Sequence, residues 1–466
     1  MKNRIDLTEG RITEKLIKLS LPIMGTSFIQ MGYNMIDMIW VGKAGSSAVA
    51  AVGTAGFYPW LAMAFVMISK VGGEVKVAQS IGENNINTTR SYIKAAIEIN
   101  IILSILYTIT LLMFNGKLIG LFKLGDTEVI SMSKQYLIIM AFGMIFYFIN
   151  PVFTAIFNGL GNSKTPFRIN TIGLVTNIIL DPILIFGFGK VPSLGVAGAA
   201  IATVTAQIVV SLCFLFVIIK NKEEYFKIKI FRNIEFKYYK ILYTLGIPVA
   251  IQNGMFTLFS MSLGVIVASW GPVAIAVQKV GSQIEAISWM TAEGLAVALG
   301  TFVGQNYGAK KYTRINKGCK IAIIVSSVLG IITTCILIFA GESIFSVFIA
   351  ENEAIEKGAM YLEILGYSQW FMCLEIITIG AFKGLGRTYI PSIISTVLTG
   401  ARIPLAYLIS KPEILGLNGV WWSITISSIL KGILMLSVFV YLLRAKKLYN
   451  NSNESIGTKK IAHESL

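Results

Sequence analysis

The chain is short of charge, of histidine and of paired cysteine, and each shortage excludes a class of protein. Charged residues make up 14% of its 466 residues, against roughly 25% in an average soluble domain. With 55% apolar side chains, such a chain could not cover its surface with polar groups in water, which excludes a soluble globular protein and a disordered scaffold. The four cysteines, Cys213, Cys319, Cys335 and Cys373, lie in or beside apolar runs without CxxC spacing, so neither a disulfide framework nor a metal site is indicated. The single histidine, His463, lies in a polar tail, too little for a Ser-His triad or the usual zinc site. No GxxxxGK(S/T) segment is present, so nothing points to ATP hydrolysis. The net charge of +16 is spread over short loops, not gathered on the aromatic-interleaved face that single-stranded nucleic acid needs. The chain therefore reads as a non-enzyme with no cofactor and no nucleic-acid partner.

What remains is apolar and periodic. A bilayer-spanning helix takes about 20 mostly apolar residues. Such runs fall at 16–40, 48–70, 92–115, 131–156, 165–188 and 195–219, then at 241–268, 273–300, 318–340, 357–381, 389–409 and 417–443. Lys and Arg gather in alternate loops, roughly four times as many on one side as on the other, and the richer side faces the cytoplasm. Both termini are on that side, in an all-α, multi-pass protein of the cell membrane with twelve transmembrane helices.

The chain also repeats itself after about 225 residues. Leu21-Pro22 returns as Ile247-Pro248, and Gln79 and Gly82 return as Gln305 and Gly308. Phe157-Asn-Gly-Leu-Gly161, with Pro166 after it, returns as Phe382-Lys-Gly-Leu-Gly386 with Pro391. The expected domains are a first lobe over 1–219, a basic cytoplasmic linker over 220–240, a second lobe over 241–443 and a polar cytoplasmic tail over 444–466. Six spans per copy is an even number, so both copies enter the membrane the same way round. Transporters commonly place binding sites near the midplane between such parallel repeats.

Acids inside apolar runs mark function, because an aspartate at a helix centre costs roughly 2.5–3.5 kcal/mol on insertion scales. Asp37 ends a row formed by Thr26, Gln30, Tyr33 and Asp37, which share one helix face. Met24, Phe28, Met31, Met35 and Met38 form a second stripe about 150° away. The polar row is expected to face the interior of the first lobe, and the Met/Phe stripe to meet lipid or the cleft between lobes. On the fifth run, Asn170, Gly173, Asn177 and Asp181 share a face, and Pro182 removes a helical N–H. A kink with a freed carbonyl beside two polar side chains suits a cation. Gly195, Gly198, Ala199, Ala202 and Ala206 on the sixth run permit close helix approach, with Thr203 at their edge.

The second copy departs from this pattern. It carries Arg402-Ile-Pro404 opposite Asp181-Pro182, and no acid answers Asp37. Its own polar residues are Lys279, Gln283, Glu285 and Glu293 on the eighth run and Glu375 on the tenth. Glu285, Gln283, Glu375, Met31 and Met35 are the weaker candidates for contacting substrate in the cleft.

Together these residues resemble the multidrug and toxic compound extrusion (MATE) transporters over essentially the whole chain. The resemblance rests on Asp37-Met-Ile-Trp-Val-Gly42, the paired Gln79/Gly82 and Gln305/Gly308, Asn177-x-x-x-Asp181-Pro182 and the two Phe-x-Gly-Leu-Gly segments. It implies two six-helix lobes in a V around a central cleft, in a monomer. It also implies antiport, with inward sodium or protons driving multidrug efflux of organic, often cationic, amphiphiles, and hence antibiotic resistance. The first half is most similar to the DinF-like branch, which implies a sodium or proton site at Asp37, Asn177 and Asp181 with Tyr33 and Thr203 beside them, and no metal beyond sodium. The NorM-like branch has an acid in the seventh span, where this chain reads Gln252-Asn-Gly-Met255. The rival function is a flippase for lipid-linked saccharide or peptidoglycan precursors, which would need a strongly basic cavity and usually further spans.

Overall fold

The computed structural model describes residues 4–220, 224–232, 235–349 and 351–445, so most of the polar tail, with His463, lies outside the described residues. The first half folds as α1 (Ile12–Lys43), α2 (Ser46–Gly82), α3 (Ile86–Gly120), α4 (Thr127–Gly159), α5 (Lys164–Phe186) and α6 (Gly195–Lys220). The second half contains α7 (Phe236–Ala268), α8 (Pro272–Gly308), α9 (Tyr312–Phe339), the short α10 (Gly341–Phe345) and α11 (Asn352–Gly366). It is completed by α12 (Gln369–Gly384), α13 (Tyr389–Gly400), α14 (Arg402–Ile409) and α15 (Leu417–Arg444). With α13 and α14 counted as one, ten helices among the described residues are long and apolar enough to cross a membrane, or eleven with the pair α11–α12 taken as one span. The remaining span is α1, 32 residues long, whose polar row lowers its hydropathy.

Two expected spans are broken. The run at 357–381 is divided between α11 and α12, which meet at a 50° bend. Ser368 stands at the break and its hydroxyl donates to the Leu365 carbonyl, so the first helix is capped before the second begins. The run at 389–409 parts at Ala401 between α13 and α14. Pro404 cannot donate to the Gly400 carbonyl, which weakens the helix at that point. Elsewhere helices outrun their apolar stretches. Both α2 and α8 have 37 residues, or about 55 Å at 1.5 Å per residue, against a hydrocarbon core of roughly 30 Å.

The halves are joined by exchanged first helices. Helix α1 packs on α5 of its own half and on α8 of the other, and α7 packs on α13 and on α2 in the same manner. At one end the halves meet backbone to backbone. A Cβ added to Gly82 would lie 1.9 Å from the Gln305 carbonyl oxygen, and one added to Gly308 would lie 1.9 Å from that of Gln79. Only glycine permits this crossing of α2 over α8. The two glutamines complete the lock. Gln79 Nε2 donates to Gly384 O at 2.9 Å, and Gln305 Nε2 donates to Gly159 O at 3.0 Å. The N-terminal segment seals the same end, with the Ile5 amide on Gly161 O of the first half and Leu7 O receiving Asn306 and Arg314 of the second.

Towards the other end this packing is lost. Added Cβ atoms at Gly32 and Gly56 of the first half, and at Gly254 and Gly264 of the second, would meet nothing within 4 Å. The two halves are thus in backbone contact at the glycine crossing, while these glycines towards the opposite ends of α1, α2 and α7 stand in open space. The 224–232 segment folds against the first half: Arg90 pairs with Glu224 at 2.9 Å, Phe226 stacks on Phe157, and the Phe231 amide and Tyr239 hydroxyl both donate to Glu98.

Candidate functional site

The first half closes around a small polar pocket between α1, α4, α5 and α6. Close helix approach creates it. A Cβ on Gly173 of α5 would lie 2.4 Å from Val210 of α6, and one on Gly198 of α6 would lie 2.3 Å from the Leu184 carbonyl oxygen. Gly143 of α4 meets Val204 of α6 equally closely, at 2.4 Å. These contacts bring Asn177 and Asp181, both wholly buried, against the α6 face that carries Thr203.

Within the pocket Asn177 Nδ2 donates to Asp181 Oδ1 at 3.0 Å, two turns of α5 being held together by one bond. Asp37 is an electrostatic neighbour of Asp181. Tyr33 lies beside Thr203 and within the field of both aspartates. Four oxygens here are buried with no hydrogen-bond partner: Tyr33 OH, Asp37 Oδ1, Asn177 Oδ1 and Asp181 Oδ2. Buried polar atoms are nearly always paired, so four in one pocket, two of them carboxylate oxygens, form a set of acceptors suited to a cation. No lysine or arginine is among the electrostatic neighbours of Asp37 or Asp181 among the described residues. Beyond them, Trp40 meets Phe186 edge-on at 6.2 Å, one turn further along each helix.

All five first-half candidates thus come together, and Tyr136 of α4 joins them as a neighbour of both aspartates. Sequence reading passed over it because a lone tyrosine in an apolar run carries no helical pattern. Two other members of the rows assigned by spacing bond within their own helices. Gln30 is exposed and reaches Asn34 at 3.4 Å, while Asn170 Nδ2 bonds back to Pro166 O at 2.8 Å. The methionine stripe points away from the pocket: Met24 lies against Gly294 of α8, Met31 is half-buried, and Met35 and Met38 are exposed.

The second-half candidates are arranged differently. Glu375 is paired with Lys431 Nζ at 3.0 Å and accepts from Ser395 at 3.0 Å. Glu285 accepts from Gln369 Nε2 at 3.0 Å, and Gln283 is exposed. Arg402 donates to Ser427 and Ser428 at 2.8 and 2.9 Å and sits in the field of both glutamates. Lys431, the counter-ion, belongs to the twelfth apolar run and was not singled out by its spacing.

The MatE family model matches residues 22–183 and again residues 248–408, once in each half. The chain belongs to the MatE family. It is a multi-pass membrane transporter and not an enzyme. Its relatives include "Probable multidrug resistance protein NorM" of Thermotoga maritima, 30% identical with 92% of each chain covered. Another is the "Probable multidrug resistance protein YoeA" of Bacillus subtilis, 26% identical with 86% of this chain and 88% of that one covered. Among solved structures, a multidrug resistance MATE family transporter of the MOP superfamily in an outward-facing conformation superimposes with a TM-score of 0.87. It shares 22% identity, with 96% of this chain and 98% of that one covered. The twofold MatE match coincides with the repeat and with the exchanged packing of α1 and α7.

Proposed function

We propose that this MatE transporter exports organic amphiphiles, often cationic, through the cleft between its halves, driven by sodium ions or protons that move inward through the first-half pocket. The observation that carries the reading is the group of four unpaired buried oxygens on Tyr33, Asp37, Asn177 and Asp181. An ionised carboxylate out of water is costly until an opposite charge neutralises it. A cation from outside loads the aspartates and lets α1, α5 and α6 close on them. Its release leaves charge that favours opening to water. Each elementary charge crossing 100 mV supplies about 2.3 kcal/mol, enough to bias the rocking of one half against the other.

The end sealed by Gly82 and Gly308 is taken as cytoplasmic because the Lys- and Arg-rich loops gather there, so the V opens outward. The unit is read as a monomer of the cell membrane. The DinF-like resemblance of the first half supports placing the coupling site there. The test is ethidium efflux from cells or everted vesicles under a sodium gradient, a proton gradient or neither. Asp37→Asn and Asp181→Asn should each abolish gradient-dependent efflux while leaving the protein in the membrane. Full gradient-driven efflux in either variant would refute the assignment.

A further inference from the structure

A groove of about 740 Å³ lies at the sealed end, outside the pocket and the cleft, where the start of α1 meets the start of α9. Arg11, Lys317 and Lys320 line it, together with Glu14 and the apolar Ile17 and Ile321. The neighbouring charges are committed elsewhere. Glu14 pairs with Lys18 at 2.5 Å, Lys311 reaches Thr8 O and Glu9, and Arg314 donates to the carbonyls of Leu7 and Glu9. The side chains of Arg11, Lys317 and Lys320 have no hydrogen-bond or ion-pair partner among the described residues. Helix α1 begins in this groove with no side-chain cap at Arg11, which leaves its first amides free for an anion.

The level of these cations matters. They stand where the first and ninth apolar runs begin, so they lie at the membrane surface. From the groove an exposed apolar track runs towards the bilayer centre on both helices. It passes Ile17 and Leu21 on α1, 44% and 60% exposed, and Ile324 and Val328 on α9, 53% and 52% exposed. A free phosphate would use the cations and leave the track bare. A phospholipid uses both, and basic pockets between helices on the cytoplasmic side are suited to anionic headgroups.

We propose that this groove binds the headgroup of an anionic phospholipid of the cytoplasmic leaflet, with its acyl chains along Ile17–Leu21 and Ile324–Val328. Helix α1 belongs to the first half and α9 to the second, so the lipid bridges the halves and favours the sealed arrangement.

Native mass spectrometry of the full-length protein in detergent, titrated with phosphatidylglycerol or with phosphatidylcholine, tests this. Wild type is expected to retain one phosphatidylglycerol preferentially. The R11Q/K317Q/K320Q variant should bind it at least about tenfold more weakly, near the loss of one surface cation's contribution or more. A K117Q/K123Q/K411Q control, with the same change in charge, should bind as wild type. The single variants Lys317→Gln and Lys320→Gln, checked for an unaltered thermal unfolding midpoint, should fall between and show that a loss is not misfolding. Equal retention by wild type and the groove variant, equal retention of both lipids, or displacement of the lipid by millimolar inorganic phosphate would each overturn the proposal.

Discussion

In the first half, Asp37, Asn177 and Asp181 stand together with oxygens that have no partner. In the second half, the place opposite Asp181-Pro182 is held by Arg402, and both oxygens of Glu375 are engaged, by Lys431 and Ser395. The two halves share a chain path, the exchanged packing of their first helices and the glutamine–glycine lock. They differ in what their interiors leave undone. Asp37 and Asp181 have no lysine or arginine as an electrostatic neighbour among the described residues, whereas Glu375 and Glu285 have Arg402 and Lys431. Under the proposed function, duplication supplies two bodies with a shared joint, and divergence puts the cation site in the first of them.

The largest expected effect separates the halves by function. Asp37→Asn or Asp181→Asn should reduce ion-driven efflux to background, whereas Glu375→Gln, which keeps an acceptor for Ser395, should leave ion dependence in place. Vesicle efflux under imposed gradients measures both. Next comes stability. Lys431→Met leaves Glu375 buried without its cation and should cost about 3–5 kcal/mol, seen as a lowered thermal midpoint in detergent. Combining it with Glu375→Gln should recover part of that loss. At the joint, Gly82→Ala and Gly308→Ala each drive a methyl group into a backbone carbonyl 1.9 Å away. Each should weaken the sealed state by about 1–3 kcal/mol, read as longer spin-label distances across that end. The smallest effect is the most symmetric: Gln79→Ala and Gln305→Ala should each cost about 1 kcal/mol. Unequal losses would show that the lock is not shared evenly.

Much of this was legible in the sequence because membrane spans are long and buried acids are anomalies. The long apolar runs and the match of Gln79/Gly82 with Gln305/Gly308 stand in the sequence itself, and the spacing of Asn177 and Asp181 puts both on the face that meets α6. What escaped reading depended on contacts between helices. Tyr136 is an ordinary residue of an apolar run until α1 and α5 bring two aspartates to it. Lys431 is a single cation whose meaning lies in Glu375, on another helix. The break between α11 and α12 depends on local capping by Ser368, which hydropathy does not report. Gln30 and Asn170 share rows with the pocket residues, and their side chains bond to Asn34 and Pro166 within their own helices.

The decisive measurement is cation binding to the purified transporter, with radioactive sodium for one ion and a pH indicator dye for the other, in wild type, Asp181→Asn and Glu375→Gln. The account predicts that wild type and Glu375→Gln take up the same ion in the same amount and that Asp181→Asn takes up none. Retained binding in Asp181→Asn, with loss in Glu375→Gln, would place the coupling site in the wrong half and contradict it.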